Sequence, residues 1–285
     1  MKKIFSSRFV FYFVLCICSY IDPARCLTEA GTYDIEENAF PSLATLVKLH
    51  YSIPICSGTL ITGGFVLTMA TCLDKIPMDQ ARIILGGVGS ENNQRYHVAW
   101  WKNCSGWSAE NQRDFDANDP DIAVIRLASR VHFTENVGLA ILPLEYDVPI
   151  FGEQISLVGW TKFLHLFLKR AATKKIQMPD VCAQYFKKNV ITRTKVIEGK
   201  LFCTIPEPHL GAFDIGGPVY LNKNVLVGIN YESTKKLATK NLHVNHLYYK
   251  DFLRYMLYYL DDSDNRIRRV AREQARPDHN YASCR

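Results

Sequence analysis

Three segments carry the residues whose types and spacing bear on chemistry: CSGTLITGGFVLTMATC over 56–72, DIAVIRL over 121–127 and GAFDIGGPV over 211–219. Acyl transfer through a covalent intermediate is one chemistry to test them against. It needs a hydroxyl nucleophile, an imidazole to take its proton, a carboxylate to orient that imidazole, and backbone N–H groups to hold the oxyanion. Asp121 and Asp214 supply carboxylates. Thr71, near the end of the first segment, has no titratable nitrogen and cannot act as a general base near neutral pH. Ile215, beside Asp214, has no nucleophilic atom. His243 and His246 stand three apart, a spacing compatible with a metal. No Cys or carboxylate cluster accompanies them, so they read as surface or capping residues, and neither a metal nor any other cofactor is implied.

The elements that must position these residues are short. From Phe40 onward, β-rich runs (43–49, 58–61, 65–69, 83–85, 122–127, 155–158, 225–229) are broken by Gly, Pro, Asn and Asp about every ten residues. This spacing predicts an antiparallel sandwich or barrel rather than βαβ units. Residues 244–260 differ: Tyr248, Phe252, Met256 and Leu260 form one stripe at helical spacing, with Leu253 and Leu257 beside it. Residues 261–285 lose that apolar content and form a charged tail.

The N-terminus reads as a secretory signal. Lys2, Lys3 and Arg8 precede an apolar run over 9–21, which is too short to span a bilayer. Cleavage could follow Cys26 or Ser19. Removing residues 1–26 leaves six of the nine cysteines, an even set suited to oxidising surroundings, whereas cleavage after Ser19 leaves seven. No later segment is long and apolar enough for a membrane-spanning helix. The expected organisation is a signal peptide (1–26), one domain (27–260) and a tail (261–285) of a secreted protein. Asn103-Cys104-Ser105 is an N-glycosylation acceptor in such a protein.

Together the three segments resemble the chymotrypsin/trypsin-like serine proteases over roughly residues 40–260. In that family the third segment reads Gly-Asp-Ser-Gly-Gly-Pro, so Ile215 stands at the nucleophile. The first ends Ala-Ala-His-Cys, so Thr71 stands at the histidine, and Asp121 is the one triad position retained. Gly159-Trp160 resembles the Gly-Trp-Gly that opens the family's second barrel. Cys56 and Cys72, and Cys182 and Cys203, look like family disulfides. By elimination Cys104 and Cys284 would form a third pair. Phe213 stands at the glycine whose N–H lines the oxyanion hole, where a bulky side chain should hinder donor geometry and substrate approach. His209 lies where trypsin-like enzymes carry the aspartate that selects Lys or Arg. Tyr231-Glu232-Ser233 replaces the Ser-Trp-Gly substrate edge, and the cysteines that staple the pocket are absent. No Arg-Ile-Val-Gly-Gly activation sequence precedes Phe40-Pro41. Asp214 matches the carboxylate that pairs with the released N-terminal amine. Here it is either satisfied by neighbouring N–H groups or reached by the amine of Leu27 once the signal is removed.

The resemblance implies an all-β fold of two antiparallel Greek-key barrels, over 27–144 and 145–244, closed by a C-terminal helix that straps back across the first. It also implies a proteolytically inactive homologue that acts by binding an extracellular protein (a protease, zymogen or inhibitor) as regulator, cofactor or decoy in a protease cascade or secretion. The charge distribution offers a second reading. Residues 1–26 hold Lys2, Lys3, Arg8 and Arg25 against Asp22, so their removal takes the net charge from +6 to +3. That charge is uneven: 162–200 holds ten Lys/Arg against two acids, and 266–285 six Arg against two. These stretches are either solvated faces or a footprint for a sulfated glycan, an anionic membrane or an acidic protein surface. Nucleic acid is not an expected partner of a secreted protein.

Overall fold

Six segments of the first half close on themselves. They are β2 (Leu43–Lys48), β3 (Pro54–Thr62), β4 (Phe65–Met69), β5 (Ala81–Leu85), β6 (Gln94–Asn103) and β7 (Ile122–Leu127), paired antiparallel in the order β2-β3-β4-β7-β6-β5. The ring closes where β2 pairs with β5, from Ala44↔Leu85 to Lys48↔Ala81. Leu, Ile and Val dominate these strands because a pleated wall filled from within favours branched side chains. β4 is buried at all five positions. This computed structural model describes residues 31–259 apart from 52, 89, 145–149, 164–165, 206–209 and 232–240. The expected signal segment, Leu27, His209, Glu232, Ser233, Cys284 and the basic tail therefore lie outside the described residues.

The second half builds one seven-stranded sheet, in the order β1-β9-β8-β11-β12-β13-β10. Its strands are β1 (Tyr33–Asp34), β8 (Gln154–Phe163), β9 (Leu166–Lys175), β10 (Leu201–Thr204), β11 (Pro218–Leu221), β12 (Val225–Asn230) and β13 (Asn241–Val244). This sheet stands where the second barrel of the expected fold lies. The sheet curls as a half-barrel, and among the described residues the segment after β9 meets β10 at an isolated antiparallel bridge, Ile176↔Thr204. The architecture is a closed six-stranded barrel with a half-barrel sheet.

Two helices join β9 to β10 and were not expected from sequence: α3 (Pro179–Tyr185) and α4 (Val190–Ile197). Pro179 opens α3, where a missing N–H costs nothing. Asn189 caps α4 by accepting from Thr192 N at 3.0 Å. A disulfide, Cys182–Cys203, ties α3 to β10.

The C-terminal helix begins later than its apolar stripe implies. Residues through Val244 belong to β13, Asn245 accepts from Leu247 N to cap a 3-10 turn (His246–Tyr249), and only then does α5 (Lys250–Tyr259) start. It packs on α2 (Cys104–Glu110): the Trp107 ring lies 5.7 Å from both Phe252 and Tyr255, and Arg113 pairs with Asp251 at 3.3 Å. The helix thus lies on the first barrel. One continuous core joins the two halves, with Phe40 stacked on Tyr220 at 5.4 Å and Ser42 Oγ bonded to the Tyr220 hydroxyl at 2.5 Å.

Candidate functional site

The 211–217 turn is held from both halves of the molecule. Ser57 N donates to Ile215 O at 2.9 Å and Ser57 Oγ to Phe213 O at 2.7 Å. Gly216 N donates to Asn230 O, and Asn230 N returns the bond to Gly217 O. Gly216 must be glycine: its φ is +80°, and a Cβ there would stand 2.1 Å from Thr68 Oγ1 and 2.5 Å from Ser57 O. In this turn the Ile215 side chain is buried, and Phe213 is nearly so, with its ring edge-on to Phe167 of β9 at 5.7 Å.

Asp214 is fully buried beneath the turn. Its two carboxylate oxygens accept from Trp160 N at 2.9 Å and Gly211 N at 2.8 Å. Burial pushes its pKa up to about 7, against the pull of these two N–H donors. The carboxylate therefore anchors the turn to β8.

Thr71 is exposed on α1 (Ala70–Leu73), which the Cys56–Cys72 disulfide ties to β3. The preceding Ala70 N donates to Asp121 O at 2.8 Å, so Thr71 and Asp121 are neighbours through the backbone. The Asp121 carboxylate is engaged elsewhere. It accepts from Asn103 Nδ2 at 2.9 Å, Ser105 N at 3.1 Å and Ser105 Oγ at 2.5 Å. Burial raises its pKa, and the Ser105 and Asn103 hydrogen bonds oppose the rise. What the retained carboxylate does in this fold is hold the start of α2.

Asn103 completes that cap by accepting from Gly106 N at 3.3 Å, while its Nδ2 also donates to Ser105 Oγ at 3.0 Å. The nitrogen that a glycan would occupy is therefore spent inside the fold. Intact mass of the protein expressed in a glycosylating host is expected to show Asn103 largely unmodified. A fully occupied glycan would mean that this cap does not form. Cys104 is buried and disulfide-bonded; the other four described cysteines pair among themselves, so its partner lies outside the described residues.

The histidines depart from the surface or capping role expected of them. His243 is fully buried, with Nδ1 facing Asn230 Oδ1 and Nε2 facing Thr204 Oγ1, each at 3.1 Å. Because an amide oxygen only accepts, Nδ1 carries the proton and the Thr204 hydroxyl donates to Nε2. Burial lowers its pKa to about 3. His246 is buried as well, its Nε2 bonded to Pro143 O at 2.8 Å. Their sequence spacing falls across the end of β13, so they occupy separate environments. Among the described residues no group of three His, Cys, Asp or Glu is arranged to hold a metal, and no helix is long and apolar enough to cross a membrane.

Sequence reasoning missed a buried ion cluster beside the site. Asp119, two residues before Asp121, is paired with Lys195 and with Lys200 (3.0 Å), and the Tyr248 hydroxyl donates to it. Lys195 also reaches Asp116 at 2.5 Å, and Lys200 reaches Glu198 at 3.0 Å. Burial works against both ammonium charges, but these partners hold their pKa values up. The presence of an Asp-Pro-Asp run was the available signal; its lysine partners, some eighty residues away, carried none. The cluster also changes how the basic stretch reads. Lys195 and Lys200 are neutralised internally, Lys169 donates to the Glu37 and Ala39 carbonyls at 2.6 Å, and Arg170 pairs with Asp34 at 2.9 Å. Burial brings the Lys169 pKa down to about 8, with Glu37 acting against that fall.

Comparison with known proteins agrees with this architecture. The chain is 25% identical over 225 residues to a venom serine protease of Polistes dominula, covering 72% of this chain and 73% of that one. It is 26% identical over 163 residues to the inactive serine protease scarface of Drosophila melanogaster, covering 50% of this chain but only 24% of that longer protein. A mutant of human heparin-binding protein has the same fold, with a TM-score of 0.62 at 17% identity, covering 82% of this chain and 98% of that one. The family model described as Trypsin matches residues 31–253, and the chain belongs to the trypsin family.

Proposed function

We propose that this protein is a secreted, proteolytically inactive trypsin homologue that acts by binding another extracellular protein: a protease, a zymogen or an inhibitor. The observation that carries this reading is the pairing of Ile215, buried in the turn where the family has its nucleophile, with an Asp121 carboxylate committed to Asn103 and Ser105. Thr71 offers no base, and Phe213, whose ring packs on Phe167, stands where the family has its oxyanion glycine. A relative named as inactive and one named as a venom protease support the inactive and secreted aspects in turn.

The test has two parts. An active-site titrant that releases a chromophore on acylation should give no burst with the purified chain; a stoichiometric burst would overturn the reading. Immobilised protein exposed to the fluid it is secreted into should retain a protease, zymogen or inhibitor through a high-salt wash. The Thr71→His/Ile215→Ser double variant is expected to remain inactive on peptide esters. Its new imidazole would meet an aspartate already bound to Ser105, and Phe213 would still stand at the position of the oxyanion glycine. Turnover well above the hydrolysis background would show that the turn is freer than this packing implies.

A second reading, polyanion binding, is favoured by one segment of the basic stretch. Residues 185–197 contain no acid, and Lys187, Lys188 and Arg193 are exposed. Heparin retention that collapses with salt would support it.

A further inference from the structure

The two most exposed large apolar side chains among the described residues are Val190 and Ile197, at 70% and 61% exposure. They stand seven apart on α4, one above the other on a single face, with Thr194 between them and Ile191, 53% exposed, alongside. The helix is not free to turn that face inward. On its opposite side Lys195 is buried and clamped to Asp116 and Asp119, and Val196 is buried next to it. A buried ion pair thus holds a short helix with its aliphatic stripe outward, and exposed Lys187, Lys188 and Arg193 flank the stripe, against Asp180 on α3 and Glu198, which is paired with Lys200.

We infer that the α3–α4 face is an interfacial anchor for an anionic lipid surface. Protruding aliphatic side chains enter the boundary between headgroups and acyl chains, and the flanking cations meet the headgroup charge. A sulfated glycan would use the cations but leave Val190, Ile191 and Ile197 in water. A ligand seated in the groove between α3 and α4, about 420 Å³ and lined by Asp180 as well as by Pro179, Ala183, Lys187, Arg193 and Ile197, would not cover Val190 and Ile191, which lie outside it. An extended soft surface covers the whole stripe and meets the charge at once. The inference rests on the polyanion reading above for its cations, and is independent of whether the cleft is catalytic.

The test is co-sedimentation of the full secreted chain with vesicles. One set is phosphatidylcholine containing about 30 mol % phosphatidylserine and the other is phosphatidylcholine alone, both at roughly 150 mM salt. Partitioning to the anionic vesicles is expected to exceed that to the neutral ones at least tenfold. The Val190→Ser/Ile191→Ser/Ile197→Ser variant should lose about tenfold of it, with an unchanged unfolding midpoint and unchanged heparin retention. Should that variant fail to be secreted, Val190→Asp alone carries the same expectation. Equal binding to both vesicle types, or vesicle binding indifferent to the aliphatic variants, overturns the anchor. So does a stoichiometric protein ligand that needs Val190 while vesicles bind nothing. Lost vesicle binding with retained heparin binding leaves the polyanion reading standing, whereas loss of both removes the two together.

Discussion

Replacing Asp119 by Ala is expected to lower stability by about 3 kcal/mol or more, read as a shift in the urea midpoint at constant m-value. The aspartate is the shared counter-charge of two buried ammonium groups, Lys195 and Lys200. Its removal leaves the lysines only Asp116 and Glu198 as carboxylate partners, whose side chains are 47% and 43% exposed and so hold charge largely against water. The cost comes from the stranded lysines rather than from the lost bonds. Removing Lys195 as well, as Asp119→Leu/Lys195→Met, should therefore recover part of the loss. A double variant at least as unstable as Asp119→Ala would show that the cluster stabilises through its hydrogen bonds and not through charge balance. Because the cluster joins the β6–β7 connection to α4 and β10, its loss should also loosen the orientation of α4, on which the proposed lipid-binding face depends.

The parts of this protein that were legible in its sequence are those set by local pattern. The barrel strands announce themselves by branched residues between turn residues, and the disulfide spacing of Cys56 and Cys72 together with the Gly216-Gly217-Pro218 run was enough to place the family. What was not legible depends on partners distant in sequence. The bridge between Ile176 and Thr204, which brings the segment after β9 to β10, has no local mark in the sequence. The α3–α4 hairpin was hidden because an outward aliphatic stripe over a buried lysine inverts the usual amphipathic rule. His243 and His246 looked like surface residues because nothing local marks them as enclosed by Asn230, Thr204 and Pro143. The site illustrates the same division. The identities of Thr71 and Ile215 can be read directly, whereas the turning of Asp121 toward Ser105 is a matter of where β6 ends and α2 begins.

Asp214 yields the second large effect, and it separates the two origins open to its stabilisation. In the unfolded chain its carboxyl titrates near the usual value of about 3.9. In the fold, burial has raised it to about 7. Below both values the group is protonated in both states and contributes no pH dependence. As pH rises past the unfolded value the unfolded chain releases its proton first, so stability falls until the folded value is passed. A shift of this size corresponds to on the order of 4 kcal/mol between pH 4 and pH 8. His243 acts oppositely in part of this window: its folded pKa is lowered to about 3, so its contribution is complete above about 6.5 and is lost as pH falls toward 3. The wild-type curve alone therefore mixes the two, and the informative quantity is wild type minus Asp214→Asn at each pH, which cancels the histidines. That difference is expected to fall as pH rises from 4 to 7.5. If instead the amine of Leu27 docks on Asp214, the carboxylate is held ionised, its pKa is depressed, and the difference rises with pH over the acidic range until the amine itself deprotonates near about 8. A rising difference would mean that signal removal completes the fold without an activation cleavage. The falling one corresponds to a carboxylate that Trp160 and Gly211 satisfy alone, in a turn that needs no released N-terminus to hold its shape.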